Sequence, residues 1–490
     1  MPETEMTTPI VATAAGKVRG AEVADGVFGW RGIPYAAAPV GPLRLRPPRP
    51  PEPWSGVRDT TAYGPPALQP PPEVSVFGTA IELPPPSEDC LRLNVTAPAG
   101  ASASPVLLWV HGGGYQSGSG TDMAGDGAEF ARDHGLVVVT FNYRLGALGH
   151  LAVAGEEHSG AHGLHDQIAA LAWVRENIAG FGGDPDRITL YGMSAGAKAV
   201  ANLLASPLTM GMIHRAASSS GGADHVATPA QAAGVARRFL RELGTTPDRV
   251  RAVPAADLLA AQTAIGSGLR TTWVWRPAID GLALTTHPLR AIAAGAAAGV
   301  PLLAQSCAHE AALYQLAVPD AADQTDRVLT EHFGPDGREQ ILAAYGGDRL
   351  AVMSDERYGI PTTRLADAQS AHAPVWRSRY DGPFTGLTPG FAFLADHLHA
   401  AHASDATAIW HGGDGLAAQL HEAFGTFATG HPPTAVGLPR WPRYTTDTRT
   451  TMLLTPTTPH PAADPTHRQR EAWTGRHWPS GTWWHFDGMD

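Results

Sequence analysis

Apolar positions fall into two regimes along the chain. Up to about residue 62, short β-like runs alternate with Pro/Gly punctuation, including a proline-dense stretch at 46–54. From residue 106 onward, near-continuous apolar or β-branched runs appear at 106–110 and 137–141, as expected for strands covered on both faces. Helical spacing follows. At 165–178, Ile168, Leu171, Val174 and Ile178 share one face of a predicted helix, with Asp166, Glu176 and Asn177 away from it. Asp184-Pro185 breaks the chain, 187–191 resumes as a strand, and 195–205 is a second helix stopped at Ser206-Pro207. Strand, helix, strand, helix in this order predicts an α/β fold with a mostly parallel central sheet and helices on both faces.

The remaining segments are read as parts of one domain over 1–490, without internal repeats. A Pro-rich loop at 64–86 should form an irregular surface excursion, because proline removes backbone donors and fixes the backbone. Ala-rich helical patterns at about 223–300 predict a helical layer. The tail from about residue 455, rich in Pro, Thr, His and Trp, suggests no function of its own.

Charge and cysteine content exclude several classes. Lys+Arg number 35 against 46 Asp+Glu, a net charge of -11, and no basic run occurs, so a nucleic-acid footprint is excluded. Lysine occurs only as Lys17 and Lys198. With only Cys90 and Cys307, neither a disulfide framework nor a cysteine-rich zinc site is possible. No apolar stretch approaches the ~18 residues of a membrane span, and residues 1–16 lack a basic start and an apolar core. A cytoplasmic setting without membrane association is expected.

The sharpest chemical signal is Gly192-Met193-Ser194-Ala195-Gly196, between the strand at 187–191 and the helix at 195–205. This is the G-x-S-x-G nucleophile elbow in its strand–turn–helix context. The tight turn lifts the serine out of both elements, and the helix N-terminus offers N–H groups to a developing anion. The bland alternative is an ordinary strand-to-helix turn. A second signal, His111-Gly112-Gly113-Gly114, directly follows the strand at 106–110. Consecutive glycines can point backbone N–H groups at an oxyanion. A phosphate loop would need a Gly-Lys-Ser/Thr ending, which is absent.

These motifs make the chain resemble the type B carboxylesterase family of the α/β-hydrolase fold, from about residue 16 to about 454. The resemblance includes Trp30-Arg31-Gly32-Ile33-Pro34-Tyr35, the Ser87-Glu88-Asp89-Cys90 segment through Asn94, and His111–Gly114. It continues through Asn142-Tyr143-Arg144, Asp166-Gln167, Trp173-Val174, Phe181–Pro185, His214-Arg215-Ala216 and Trp441-Pro442. In such enzymes the chain order is Ser, acid, His. The resemblance therefore implies Glu310, in Glu310-Ala311-Ala312-Leu313-Tyr314 after a strand at 301–305, as the acid. It implies His402, in the run from Leu398 to Asp405 with Trp410 ending a following strand, as the base. His399 is the rival histidine. A metal site in His397, His399 and His402 is a weaker reading, and a solvated surface carboxylate is the bland reading of Glu310.

The implied chemistry is ester hydrolysis by Ser194, His402 and Glu310, with Gly113, Gly114 and Ala195 as the oxyanion hole. Tyr115, where the family often has an aromatic, and Met193 are candidate pocket residues. Trp273 and Trp275 either line an acyl pocket or pack, and Trp173 reads as core. No cofactor or metal is implied. The partner expected is a small uncharged aryl or short-chain alkyl ester, with the protein a monomer or small homo-oligomer. An acyltransferase or cyclase using the same acyl-enzyme is the alternative, and a non-catalytic binding protein of the same fold is a weaker one.

Departures from the family pattern also carry expectations. Met193 stands where glutamate is usual, and Ala199, preceded by Lys198, replaces a serine. Both changes are read as removing polar groups from behind the nucleophile, leaving a site ill-suited to cationic substrates. The upstream partner of the family's early disulfide falls at Ala67, so Cys90 should be free. Cys307 reads as a small buried residue.

Overall fold

The computed structural model describes residues 9–70, 81–122, 125–266 and 273–478. Its apolar runs become strands of one large sheet: β1 (Ala21–Ala24), β2 (Val27–Pro34), β3 (Arg92–Pro98), β4 (Ser104–Val110), β5 (Val137–Phe141), β6 (Gly183–Met193), β7 (Arg215–Ser219), β8 (Leu302–Cys307), β9 (Val375–Tyr380), β10 (Thr451–Leu454) and β11 (His460–Ala462). Across the sheet the order is β1-β2-β3-β5-β4-β6-β7-β8-β9-β10-β11. Pairing is parallel from β5 through β10 and antiparallel at both edges. A smaller sheet joins Ile10–Thr13, Gly16–Arg19 and Val57–Asp59.

Both faces of the sheet are covered. Val106, Leu108 and Val110 of β4 enter one core cluster, with Leu171, Val174 and Leu203 from helices His162–Asn177 and Ala195–Ala205. Leu107 and Trp109 enter the other, with Phe424 and Phe427 from helix Leu416–Ala428. The two-residue side-chain alternation of a strand thus explains why both registers are apolar.

Several local expectations change. Asp184 and Pro185 do not break the chain but lie inside β6, and a register shift opposite, between Ser104 and Val106, accommodates them. In helix His162–Asn177 two of the three polar positions are buried: Asp166 is inaccessible to solvent and Asn177 is buried, while Glu176 is exposed and Ile168 is only half-buried. Asp166 takes both Nε (2.8 Å) and Nη2 (2.7 Å) of Arg144, plus its backbone N–H (3.0 Å), which offsets the burial of the charge. Trp410 ends no strand. It sits in helix Ala406–His411, packed against Trp109 with ring centres 5.1 Å apart.

Helices Pro229–Leu243, Ala255–Gly266 and Pro288–Ala293 occupy the region expected to be helical, but the stretch 273–287 between the last two is not. In the Pro-rich loop, 64–70 and 81–86 carry only an isolated bridge, Ala67 to Ser87, and Pro66 and Ala67 are buried rather than exposed. The rest of that loop lies outside the described residues. In the tail, β11 pairs with β10, and Trp473 and Trp478 close a cluster with Leu329, Ile341 and Val352. Cys90 and Cys307 are both buried and free. Among the described residues no helix is long and apolar enough to cross a membrane.

Candidate active site

Adjacent strands deliver the site from their carboxyl ends, where open α/β sheets bind ligands. β6 ends at Met193, and Ser194 turns the chain into helix Ala195–Ala205 with φ 57° and ψ −123°, a conformation rarely adopted by a residue with a side chain. The flanking glycines are required by close approach. A Cβ on Gly192 would lie 2.3 Å from the Gly196 carbonyl oxygen, and one on Gly196 would lie 2.0 Å from that of Val110. The Ser194 N–H donates to the Ser219 carbonyl at 2.9 Å, tying the turn to the end of β7.

Glu310 follows β8 and is almost wholly buried. Its Oε2 lies 2.6 Å from His402 Nδ1, and His402 Nε2 lies 2.8 Å from Ser194 Oγ. The structure therefore brings Ser194, Glu310 and His402 into one hydrogen-bonded chain. The His402 N–H also donates to the Glu310 carbonyl at 3.3 Å. His399 does not take part: it is half-exposed and pairs with Asp381 at 3.1 Å. Among the described residues no group of three or more His, Cys, Asp and Glu could hold a metal ion.

The glycine loop after β4 lies over Ser194. A Cβ on Gly112 would sit 3.2 Å from Ser194 Cβ. Gly113 and Gly114 have φ 99° and 63°, and among the described residues no backbone carbonyl accepts from their N–H groups. Ala195 is the first residue of its helix, where an N–H has no intrahelical acceptor. The N–H groups of Gly113, Gly114 and Ala195 thus have no backbone acceptor among the described residues. The loop's base is fixed by His111, which stacks on Tyr143 at 4.3 Å and is pushed down to about 4 by burial, so it stays neutral.

Tyr115 is fully buried beside this loop, stacked on His225 with ring centres 5.8 Å apart. Trp273 continues the aromatic wall, edge-on to His225 at 5.1 Å and to Tyr358 at 5.4 Å. Tyr358 in turn lies flat on His402 at 4.4 Å. Met193, expected at the pocket, is buried instead in the cluster on the other side of the sheet, with Trp109 and Cys307. Strand alternation turns its side chain away from the serine that follows it. Trp275 packs on Phe239 at 5.4 Å, away from this wall.

The surroundings of the nucleophile helix are not depleted of polar groups. Lys198 is buried, and its ammonium donates to the carbonyls of Gly221 (3.3 Å) and Arg357 (3.1 Å). Burial brings it down to about 8, although the nearby Asp224 and Glu356 favour its charged form. Sequence reasoning also missed Ser220, whose hydroxyl donates to Glu310 Oε1 at 2.6 Å beside the Cys307 N–H at 2.8 Å. The run Ser218-Ser219-Ser220-Gly221, at a strand end next to the elbow, was the available signal.

The chain is similar to known proteins over most of its length. The family model described as the carboxylesterase family matches residues 7–336. The para-nitrobenzyl esterase of Bacillus subtilis (strain 168) is 38% identical over 473 residues, covering 92% of this chain and 95% of its own. The phenmedipham hydrolase of Pseudarthrobacter oxydans is 33% identical over 486 residues, covering 92% and 95%. A solved structure of PNB esterase superposes with a TM-score of 0.85 at 35% identity, covering 95% of this chain and 99% of that one. With sequence and architecture matching over nearly the whole length, the chain belongs to the carboxylesterase family and is a carboxylic ester hydrolase of the α/β-hydrolase fold.

Proposed function

We propose that Ser194 is the nucleophile, His402 the general base and Glu310 the acid of a serine esterase acting on small uncharged aryl or short-chain alkyl esters. The unbroken hydrogen-bond chain from Ser194 Oγ through His402 to Glu310 carries this reading. A serine hydroxyl is a poor nucleophile at neutral pH, so His402 Nε2 takes its proton as Oγ attacks the acyl carbon. Glu310 holds the imidazole in the tautomer with hydrogen on Nδ1 and stabilises the imidazolium. The N–H groups of Gly113, Gly114 and Ala195 receive the oxyanion, where losing one donor typically costs about 10²–10³ in turnover. His402 then protonates the departing alcohol, and water hydrolyses the acyl-enzyme by the same route.

The matched para-nitrobenzyl esterase supports flat or small apolar substituents. The buried cations Lys198 and Arg276 support a preference against cationic esters. The domain reading belongs to the same proposal: one domain over 1–490.

The test is hydrolysis of a para-nitrophenyl acyl-ester series by wild type and Ser194→Ala, with intact mass recorded after a serine-reactive fluorophosphonate. Turnover and labelling should both vanish in the variant. Labelling without turnover would favour acyl transfer to another acceptor. Absence of both in wild type would overturn the reading.

A further inference from the structure

Between helices Arg349–Ser354 and Ile360–Ser370 the chain makes a single π turn, Asp355–Gly359. Such turns are rare and recur at functional sites, because the extra residue re-aims side chains. This one buries Arg357 and Tyr358. Tyr358 lies flat on the His402 ring, and its hydroxyl sits 3.5 Å from His402 Nε2, the nitrogen that Ser194 Oγ meets at 2.8 Å.

We propose that Tyr358 is a further catalytic residue, whose hydroxyl donates a hydrogen bond to the alcohol oxygen as it leaves the acyl carbon. The inference rests on the reading of Ser194 and His402 above. Nε2 of a neutral imidazole has one acceptor lone pair, and Ser194 uses it. At 3.5 Å the tyrosine contact is too long to be a strong bond, so its hydrogen remains available. The other side of the tyrosine oxygen is occupied by a short hydrogen bond to the Tyr314 hydroxyl. Tyr314 itself receives a hydrogen bond from Arg357, and a guanidinium can only donate. Either hydroxyl can donate in the contact between the two tyrosines; when Tyr314 donates, the Tyr358 hydrogen is left to turn toward the Nε2 edge. Burial, reinforced by Tyr314 and Glu310, holds the Tyr358 phenol far above its ordinary range, which keeps it a neutral donor.

The proton balance is simple. Ser194 Oγ bonds to the acyl carbon and gives its proton to Nε2. The bond from acyl carbon to alcohol oxygen then breaks, its electron pair stays on that oxygen, and Nε2 returns the proton there. Tyr358 keeps its own proton throughout and stabilises the charge that peaks on the departing oxygen. Such a contact matters where that charge is large, as with an alkyl alcohol, and little for a nitrophenolate that leaves readily.

The test compares ethyl and para-nitrophenyl esters of one acid, with active sites counted by fluorophosphonate labelling and the fold checked by Tm. In Tyr358→Phe, the ratio of kcat/KM for the ethyl ester to that for the para-nitrophenyl ester should fall about tenfold or more. Equal losses on both esters, or none on the ethyl ester, overturn the proposal. Tyr314→Phe removes only the group that orients the hydrogen and should show a smaller loss confined to the ethyl ester. If Tyr358→Phe does not fold, that variant decides, and no selective loss in it counts as refutation. Failure of the underlying reading looks different: hydrolysis of both esters would survive Ser194→Ala.

Discussion

Ser220 and Glu310 meet through a 2.6 Å hydrogen bond from the serine hydroxyl to carboxylate Oε1, on the side opposite His402. Oε2 is left for the imidazole, at 2.6 Å. The carboxylate is thus fixed in the plane that keeps His402 turned toward Ser194. Ser220 is held for this by its own N–H, which donates to the Gln305 carbonyl at 2.8 Å, and by a φ of 55°.

Ser220→Ala should therefore slow turnover while leaving binding intact. A hydrogen bond to a charged group contributes about 1.5–3 kcal/mol, and the Cys307 N–H remains on Oε1. The expected result is a kcat lowered about tenfold with KM near wild type. A lower Tm with unchanged kcat would show that the serine supports the fold and leaves the carboxylate's orientation alone.

Glu310→Gln keeps the shape and removes the charge that selects the His402 tautomer. In comparable triads such a change costs about 10⁴ in kcat. Fluorophosphonate labelling should slow in parallel, because both reactions need the same activated serine. Labelling at the wild-type rate would remove Glu310 from the nucleophile's activation.

The legible parts of this molecule were those with a local physical signature. β4 and β5 are apolar on both alternations because both faces are covered, and the elbow is written in five consecutive residues. Glu310 and His402 became visible only through the family pattern, since nothing in their immediate sequence distinguishes them from other carboxylates and histidines. Met193 was misjudged because adjacency to Ser194 in sequence means the opposite face of a strand. Asp166 was misjudged because its partner Arg144 lies on a different segment. Tyr358 left no trace, because one π turn brings it to the site, while Ser220 showed only as part of the run Ser218–Gly221 and Tyr314 only as the end of the Glu310 segment.

Asp405 should make stability depend on pH in a defined window. It is buried, accepts from Gln305 Nε2, and is pushed up to about 6 by burial with Glu310's charge adding to the effect. Below about pH 4 folded and unfolded chains both hold its proton, so it contributes no difference. Between about pH 4 and 6 the folded chain keeps a proton the unfolded chain has lost, so stability falls as pH rises. Above 6 the full cost of a buried charge is present. Asp405→Asn should be more stable than wild type at pH 7.5 by up to roughly 3 kcal/mol, with the gap closing by about pH 4. Urea unfolding across that range measures it, and a gap independent of pH would refute the assignment.

Lys198 should set discrimination against cationic esters. Its ammonium lies 5.2 Å from the ring centres of both Trp273 and Tyr358, directly behind the wall that meets His402. Since it is brought down to about 8, it is charged at pH 7 and loses that charge as pH rises through 8. Two unit charges about 8 Å apart at an effective dielectric of about 20 repel by about 2 kcal/mol, enough for roughly a tenfold effect after partial screening. Lys198→Met should therefore raise kcat/KM for a choline ester about tenfold at pH 7, relative to the isosteric 3,3-dimethylbutyl ester. The uncharged ester should change little. In wild type the same preference for the uncharged ester should weaken as pH passes 8, because Lys198 becomes neutral there. The buried Asp224 and Glu356 oppose this by attracting the cation, so the variant exposes their field as well as removing the ammonium. A choline to dimethylbutyl ratio unchanged by the substitution and by pH would mean that Lys198 only braces the helix behind Ser194.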